Sequence, residues 1–368
     1  MRQQQLSQLS PVYAFILDGT VPTIALPAEI SERGSPLKYE IEDEYGRKIN
    51  GDFSAAPALL LPRLNAGYHH FKISGENLSS EALLLAAPSK MHKSEVTKFL
   101  WQQPVNNFKS LRRILSVNDL KALHYNYPFP CEEDLAVFFR LIQKKSPCLE
   151  NNISDYKEQA LYLALQSQMP INKDYADWAN NHYDYNKINS FKTKEFAKKQ
   201  ADLVALGELA LKEVDFCLRD ITAFCRRRDC PVCIHIDMPL AANFREFRAW
   251  RDRKLLLSKQ LSFSGYSDYA PYNPQALEKA FYEPFITLIR QSMAYADVLC
   301  LDKPEYLWQI PCLDMPFPDK IIEYNLSALL AIIAIESNRS RCPVVALNKP
   351  ELPDELKKYL TGAGISLI

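Results

Sequence analysis

A chain of 368 residues with 47% hydrophobic and 24% charged content is ordinary folding material, long enough for a large core and for more than one domain. Its 44 basic and 44 acidic residues cancel, which argues against nucleic acid or an anionic membrane as a partner and fits a neutral ligand. Glycine is scarce at 10 residues, where average usage of about 7% would give roughly 26, and sites built from tight loops normally draw on more of it.

The first residues, MRQQQLSQLSP, place no apolar run behind a basic start, and the longest apolar stretch, Leu329 to Ile335, is too short to span a bilayer. Nine cysteines, odd in number and irregularly spaced, point to reduced thiols rather than a disulfide framework. The chain is therefore expected to be soluble and cytoplasmic. From Pro11 to Ala87, short alternating runs are separated by turn residues: VYAFILDG, PTIALP, LKYEIEDEYGRK, ALLLPRLNAGYHHFKIS and EALLLAAP. These predict a small antiparallel β-sandwich, with Asp18-Gly19 and Tyr45-Gly46 as turns and Pro88-Ser89-Lys90 as the closing linker. His69 and His70 fall on opposite faces of one strand, and both have ordinary structural readings.

Between Val96 and Ser190 helical periodicity in DLAVFFRLI and DYKEQALYLALQS is broken by polar connections. From Lys194 onward helix and strand alternate. One long helix is predicted from Ala197 to Arg228, then the strand PVCIHID and a Tyr/Pro loop. The helix PQALEKAFYEPFITLIRQSMAYA and the strand DVLCLD follow, then the helix NLSALLAIIAIESNR and the strand PVVALN, and finally the helix PDELKKYLTG and the strand GISLI. Apolar strands alternating with helices predict a parallel sheet covered by helices on at least one face. Three domains are expected: residues 1–90, 91–193 and 194–368.

The text of this last part resembles the amylomaltases, a 4-alpha-glucanotransferase family. Tyr282-Glu283-Pro284-Phe285-Ile286, Leu288-Ile289-Arg290, Met293 and Leu301-Asp302 are similar to YEPFI…LRANM…LRIDH. Leu329 to Ile332, Ile335-Glu336-Ser337, Arg339 and Arg341-Cys342 are similar to LLSILALESKRHRC. Ala66-Gly67-Tyr68-His69 resembles the sandwich domain that precedes the barrel in longer members. The likeness covers Pro11 to His92 and about Ala201 to Ile368 and fails between them. It implies a multidomain fold, an antiparallel β-sandwich followed by an α/β region resembling an incomplete (β/α)8 TIM barrel.

The resemblance also implies where the chemistry would sit. Retaining glycosyl transfer needs a carboxylate nucleophile and a second carboxylate roughly 5–5.5 Å away as acid, then base. The family's R-I-D-H nucleophile motif reads Cys300-Leu301-Asp302-Lys303 here: Asp302 keeps the catalytic position and loses the flanking arginine and histidine. Against V-I-G-E-D-L-G-T-V-P the chain reads Val344-Val345-Ala346-Leu347-Asn348-Lys349-Pro350-Glu351-Leu352-Pro353, which puts Leu347 at the acid/base position. A leucine cannot move a proton. The third family carboxylate has no counterpart before Ile368, and at least one barrel strand is expected to be missing. Asp237 matches an upstream aspartate of the family, and the sugar-groove phrase G-Q-x-W-G reads Gly265-Tyr266-Ser267-Asp268-Tyr269. The early barrel segment N-W-G-I-G-D-F is not recognisable around Trp101 to Leu120.

Each candidate has a bland reading beside it. Asp302 is a catalytic group or an inherited polar strand end, and Glu351 a relocated acid or a surface residue. Asp237, Tyr266, Tyr269 and Trp308 are the expected glucan-binding residues. Tyrosines of a Pro-rich loop, with Tyr272 and Tyr282 among them, stack on sugars or pack in a core. Cys230-Pro231-Val232-Cys233 with His235 has a metal-like form, but no second spaced pair, and reads as buried thiols without a metal. The basic runs at Arg226 to Arg228 and Arg251 to Lys254 read as solvated faces.

The expectation is an amylomaltase-like protein of α-glucan metabolism that is catalytically inactive and binds glucan or protein, with no cofactor. An α-1,4-glucan or maltooligosaccharide is the expected ligand, and a protein partner or second copy is possible, because an incomplete barrel leaves strand edges and apolar surface to cover. The alternatives are an active 4-alpha-glucanotransferase using Asp302 with a displaced acid, and an interaction scaffold unrelated to glucan.

Overall fold

The computed structural model describes residues 9–31, 37–54, 56–75, 78–94, 156–168, 189–227, 231–237, 239–243, 247–257, 269–311 and 321–368. They group into two units, one drawn from Met1–Gln102, Pro274–Gln309 and Glu323–Ile368, the other from Gln103–Asn273 and Ile310–Ile322.

In the first unit the early strands are β1 (Val12–Leu17), β2 (Thr23–Ala25), β3 (Leu37–Asp43), β4 (Lys48–Phe53), β5 (Ala58–Leu60), β6 (Gly67–Gly75) and β7 (Leu78–Pro88), with the short helix α1 (Ala28–Ser31) between β2 and β3. Five of them form a sheet in the order β1-β7-β6-β3-β4, and β2 pairs with β5 in a separate ribbon. The sheet departs from the antiparallel expectation at one place: β1 runs parallel to β7, with Val12 opposite Leu83 and Leu17 opposite Pro88. The β3–β4 hairpin turns where expected, on Gly46 at φ 76, with the Asp43 carboxylate accepting from the Tyr45 and Arg47 N–H groups.

The run EALLLAAP explains the layering. Alternation predicts one wet face, yet every residue from Ala82 to Ala87 is buried. Ala82, Leu84 and Ala86 join Ile41, Phe71 and Ile73 in a core closed from the other side by Ile24, Leu26 and Leu59 of the β2–β5 ribbon. Sheet and ribbon thus form two layers around one core. Leu83, Leu85 and Ala87 point the opposite way, toward a helix that packs on β7 and β1.

That helix is α8 (Leu326–Ser340), buried on nearly every side from Ala328 to Ser337. Asn325 caps it, its side chain accepting from the Ala328 N–H, and Arg341 ends it in a left-handed conformation. Before it comes α7 (Glu283–Tyr295), and after it α9 (Asp354–Gly362). The sequence predicts a single helix from Pro274 to Ala296; the structure splits it into α6 (Pro274–Lys279) and α7. Phe281 and Tyr282 are left-handed at φ 54 and 57, and their N–H groups return to the Glu278 and Leu277 carbonyls to close α6. Pro284 is the cause, since its ring would clash with the carbonyl four residues earlier in a continuous helix. The helices alternate with β11 (Val298–Leu301), β12 (Val344–Ala346) and β13 (Ser366–Leu367), three consecutive parallel strands.

In the second unit α2 (Lys157–Gln168) packs on α4 (Ala201–Arg226). The long helix predicted from Ala197 is instead α3 (Phe191–Lys199), capped by Ser190, followed by α4 after a break at Gln200. Tyr162, Leu165, Phe196 and Trp250, the last on α5 (Phe247–Arg251), build its core. The short strands are β8 (Cys233–Ile236), β9 (Ala241–Asn243) and β10 (Tyr269–Pro271), the last two paired antiparallel.

Candidate functional site

All four residues of β11 are apolar and buried, so the first polar side chain after it, Asp302, stands at the strand's C-terminal end, half-buried. This is the end where α/β folds carry their functional groups. Leu301 pairs with Ala346, and the Leu347 N–H continues the ladder by donating to the Leu301 carbonyl at 3.0 Å. Asp302 and Leu347 are therefore the next pair in register. On the other side the Asn348 N–H donates to the Ile368 carbonyl at 2.8 Å, aligning the ends of three strands.

Around Asp302 the side chains are bound to one another. The Cys300 thiol donates to Asp302 Oδ1 at 3.7 Å. Pro304 begins a 3₁₀ turn (Pro304–Leu307), and Lys303 Nζ sits 5.4 Å from the centroid of the Tyr306 ring. Lys349 Nζ lies 3.7 Å from Glu305 Oε1, linking the segment after β12 to the segment after β11. Glu305 Oε2 is buried and accepts no hydrogen bond from the described residues. The arrangement offers one strand-end carboxylate faced across the ladder by an apolar side chain, with an ion pair beside it. Sequence reasoning missed Glu305, Lys349 and Tyr306, because no pattern along the chain signals a pairing made across two strand ends.

The other expected residues fall as follows. Trp308 is half-buried in the first unit, its N–H donating to the Glu305 carbonyl and its carbonyl accepting from Tyr324. Glu351 is exposed. In the second unit, Asp237 follows β8 on the half-exposed face shared by Cys233 and His235, while Ile234 and Ile236 are buried. Tyr269 is half-buried on β10, opposite Asn243. Tyr266 and Cys230 lie outside the described residues, as do Arg228 and the segment Trp101 to Leu120.

Tyr272 and Tyr282 are core residues, each 1% exposed, and cannot stack on a sugar. Tyr272 donates to Asp252 at 2.7 Å, and Arg251 holds the same carboxylate at 2.7 Å and 2.9 Å, so part of the second basic run is a partly buried network rather than a solvated face. His69 is buried, its Nε2 hydrogen-bonded to the Asn65 carbonyl at 2.9 Å, and His70 lies edge-on to Phe281. No helix among the described residues is long and apolar enough to cross a membrane.

Helix-then-strand units with polar groups gathered at the C-terminal strand ends define an α/β protein of the kind that carries its site on strand-end loops. The family model of the 4-alpha-glucanotransferases of glycoside hydrolase family 77 matches residues 148–366, more than half of the chain, and the chain belongs to that family. The match begins well before Ala201, so the likeness extends into a stretch where motif reading does not find it. A 4-alpha-glucanotransferase of Haemophilus influenzae is 33% identical over 90 residues, which are 24% of this chain and 13% of that protein. The crystal structure of amylomaltase from Corynebacterium glutamicum superposes with a TM-score of 0.57 at 14% identity, covering 98% of this chain and 65% of that one, a likeness of fold. The chain thus spans less than two thirds of either relative.

Proposed function

We propose that this chain serves α-glucan metabolism as an amylomaltase-like protein that has lost glycosyl transfer and acts in the cytoplasm by binding an α-1,4-glucan, a maltooligosaccharide or a protein. The supporting observation is the pairing of Leu301 with Ala346, continued by the Leu347 N–H to the Leu301 carbonyl, from which Asp302 and Leu347 leave the two strands side by side. If Asp302 stands at the nucleophile position, the residue in register on the next strand is the one that should carry the proton, and it is a hydrocarbon. Cys300 and Lys303 near Asp302 replace the arginine and histidine that would bind sugar hydroxyls. Asp237, Tyr269 and Trp308 are the proposed glucan contacts among the described residues, and Tyr266, close to Tyr269 in sequence, is proposed with them.

One observation favours the rival, an active transferase with a displaced acid. Glu305, three residues beyond Asp302, has a buried oxygen with no hydrogen-bond partner among the described residues and puts a second carboxyl group near the strand end. Incubation with maltotriose separates the two readings. The proposal expects neither glucose nor longer oligosaccharides at high protein concentration, with maltooligosaccharide binding retained. Products formed by the parent and abolished by Asp302→Ala would establish the rival, and Glu305→Gln would then test the acid.

A further inference from the structure

In the first unit a carboxylate is buried where three elements meet. Glu336 of α8 is 0% exposed, and a carboxylate removed from water is tolerated only when its oxygens are fully bonded. Its partners come from both ends of the chain. Tyr68 of β6 donates its hydroxyl at 2.8 Å, Arg290 of α7 donates at 2.8 Å and 3.2 Å, and Arg339 donates at 3.0 Å. Arg339 also pairs with Glu44, at the β3–β4 turn, and Glu44 accepts from the Tyr68 N–H at 3.3 Å. The guanidinium groups of Arg290 and Arg339 lie 5.7 Å and 5.4 Å from the Tyr68 ring centroid. The helices bring two arginines and one glutamate, and the sheet brings the second glutamate and the ring on which both arginines rest.

A second seam runs alongside. Asn338 donates to the Lys90 carbonyl at 2.9 Å, the Ser337 hydroxyl accepts from the His92 N–H at 3.0 Å, and the Met91 N–H donates to the Ala363 carbonyl at 2.8 Å. Between the seams Leu83 and Leu85 are buried on the sheet face that α8 covers. Detached, the sheet would expose these leucines, Glu336 would lose the Tyr68 hydroxyl, and Glu44 would lose Arg339.

We infer that the Glu336 cluster is a clasp that makes the N-terminal sheet and helices α7 and α8 one cooperative folding unit, so that the chain boundary at Pro88 to Lys90 is not a folding boundary. Because α7 and α8 lead directly into β11 and β12, the sheet is part of the scaffold that sets the Asp302 and Leu347 strand ends side by side. The inference does not depend on whether the chain binds glucan.

Amide hydrogen exchange on the full chain, read by mass spectrometry over β6–β7 and over α8, tests it. Ile41→Val perturbs the sandwich core on the sheet face turned away from α8. It should raise the opening equilibrium by about threefold to tenfold in both segments alike. Tyr68→Phe keeps the ring and removes one donor, and should raise both by about tenfold. Loss of protection in the sheet with α8 unchanged, in either variant, overturns the clasp and makes the sheet an independent module resting on the helices.

Discussion

Leu347→Glu tests the strand-end geometry more sharply than any loss-of-function change. Adjacent strands are about 4.8 Å apart, and extending the register of Leu301 opposite Ala346 by one residue brings positions 302 and 347 side by side on the same face. The substitution therefore sets two carboxylates about 5 Å apart. At that separation and an effective dielectric of about 20 the repulsion is about 3 kcal/mol, or about 2 pK units. Both positions are half-buried rather than sealed, so solvent and salt reduce the expected coupling to about 1 unit. The second of the pair to ionise should titrate above the ordinary carboxylate range, and the additional Asp302→Asn should bring the remaining one back. Carbon-13 detection of the side-chain carboxyls during a pH titration reads this directly. If both groups of the single variant titrate independently in the ordinary range, the two side chains do not share a space, and the argument from Leu347 to lost transfer falls.

Three further outcomes follow from packing and burial. Gly67 sits at φ 144, and a Cβ there would come within 2.6 Å of Glu44 Oε1, so Gly67→Ala should destabilise the first unit by more than about 1 kcal/mol in urea unfolding. Ile332→Ala, at a position with 0% exposure in α8, should cost about 2–5 kcal/mol, whereas Tyr359→Ala, 49% exposed on α9, should stay within about 0.5 kcal/mol. Burial is the first cause raising the phenols of Tyr68, Tyr272 and Tyr282 above their ordinary value of 10.0, with neighbouring carboxylates adding to it. An acid raised in the folded state is favoured there in its neutral form, so this stability is intact below about pH 10 and declines as pH climbs beyond it. Absorbance at the phenolate band should show these three silent until the chain unfolds in base; ionisation in the folded protein near pH 10 would contradict their burial.

The strands and helices after Lys194 were legible because each carries its own period: four apolar residues before Asp302, three before Leu347, and a helix between them capped by Asn325. The strand-end pair was legible too, although only through motifs, since no periodicity sets Asp302 apart from Asp237. Helix boundaries failed at Phe281 and Tyr282, where apolar periodicity runs on past a proline that the backbone cannot accommodate. Tyr272 and Tyr282 read equally well as sugar platforms or core, and the choice rested on what covers them.

By itself, then, the sequence determined the local elements and the alternation of helix and strand, because these depend on residues close together in the chain. Tertiary structure alone decided that Ala82 to Ala87 of β7 are buried on both faces, that β1 runs parallel to it, that Glu305 meets Lys349, and that Glu336 finds Tyr68 and Arg290. Each of these pairs elements far apart in sequence, and a buried charge or an apolar strand face shows only that a partner is required. Which partner it is depends on how the chain closes in space.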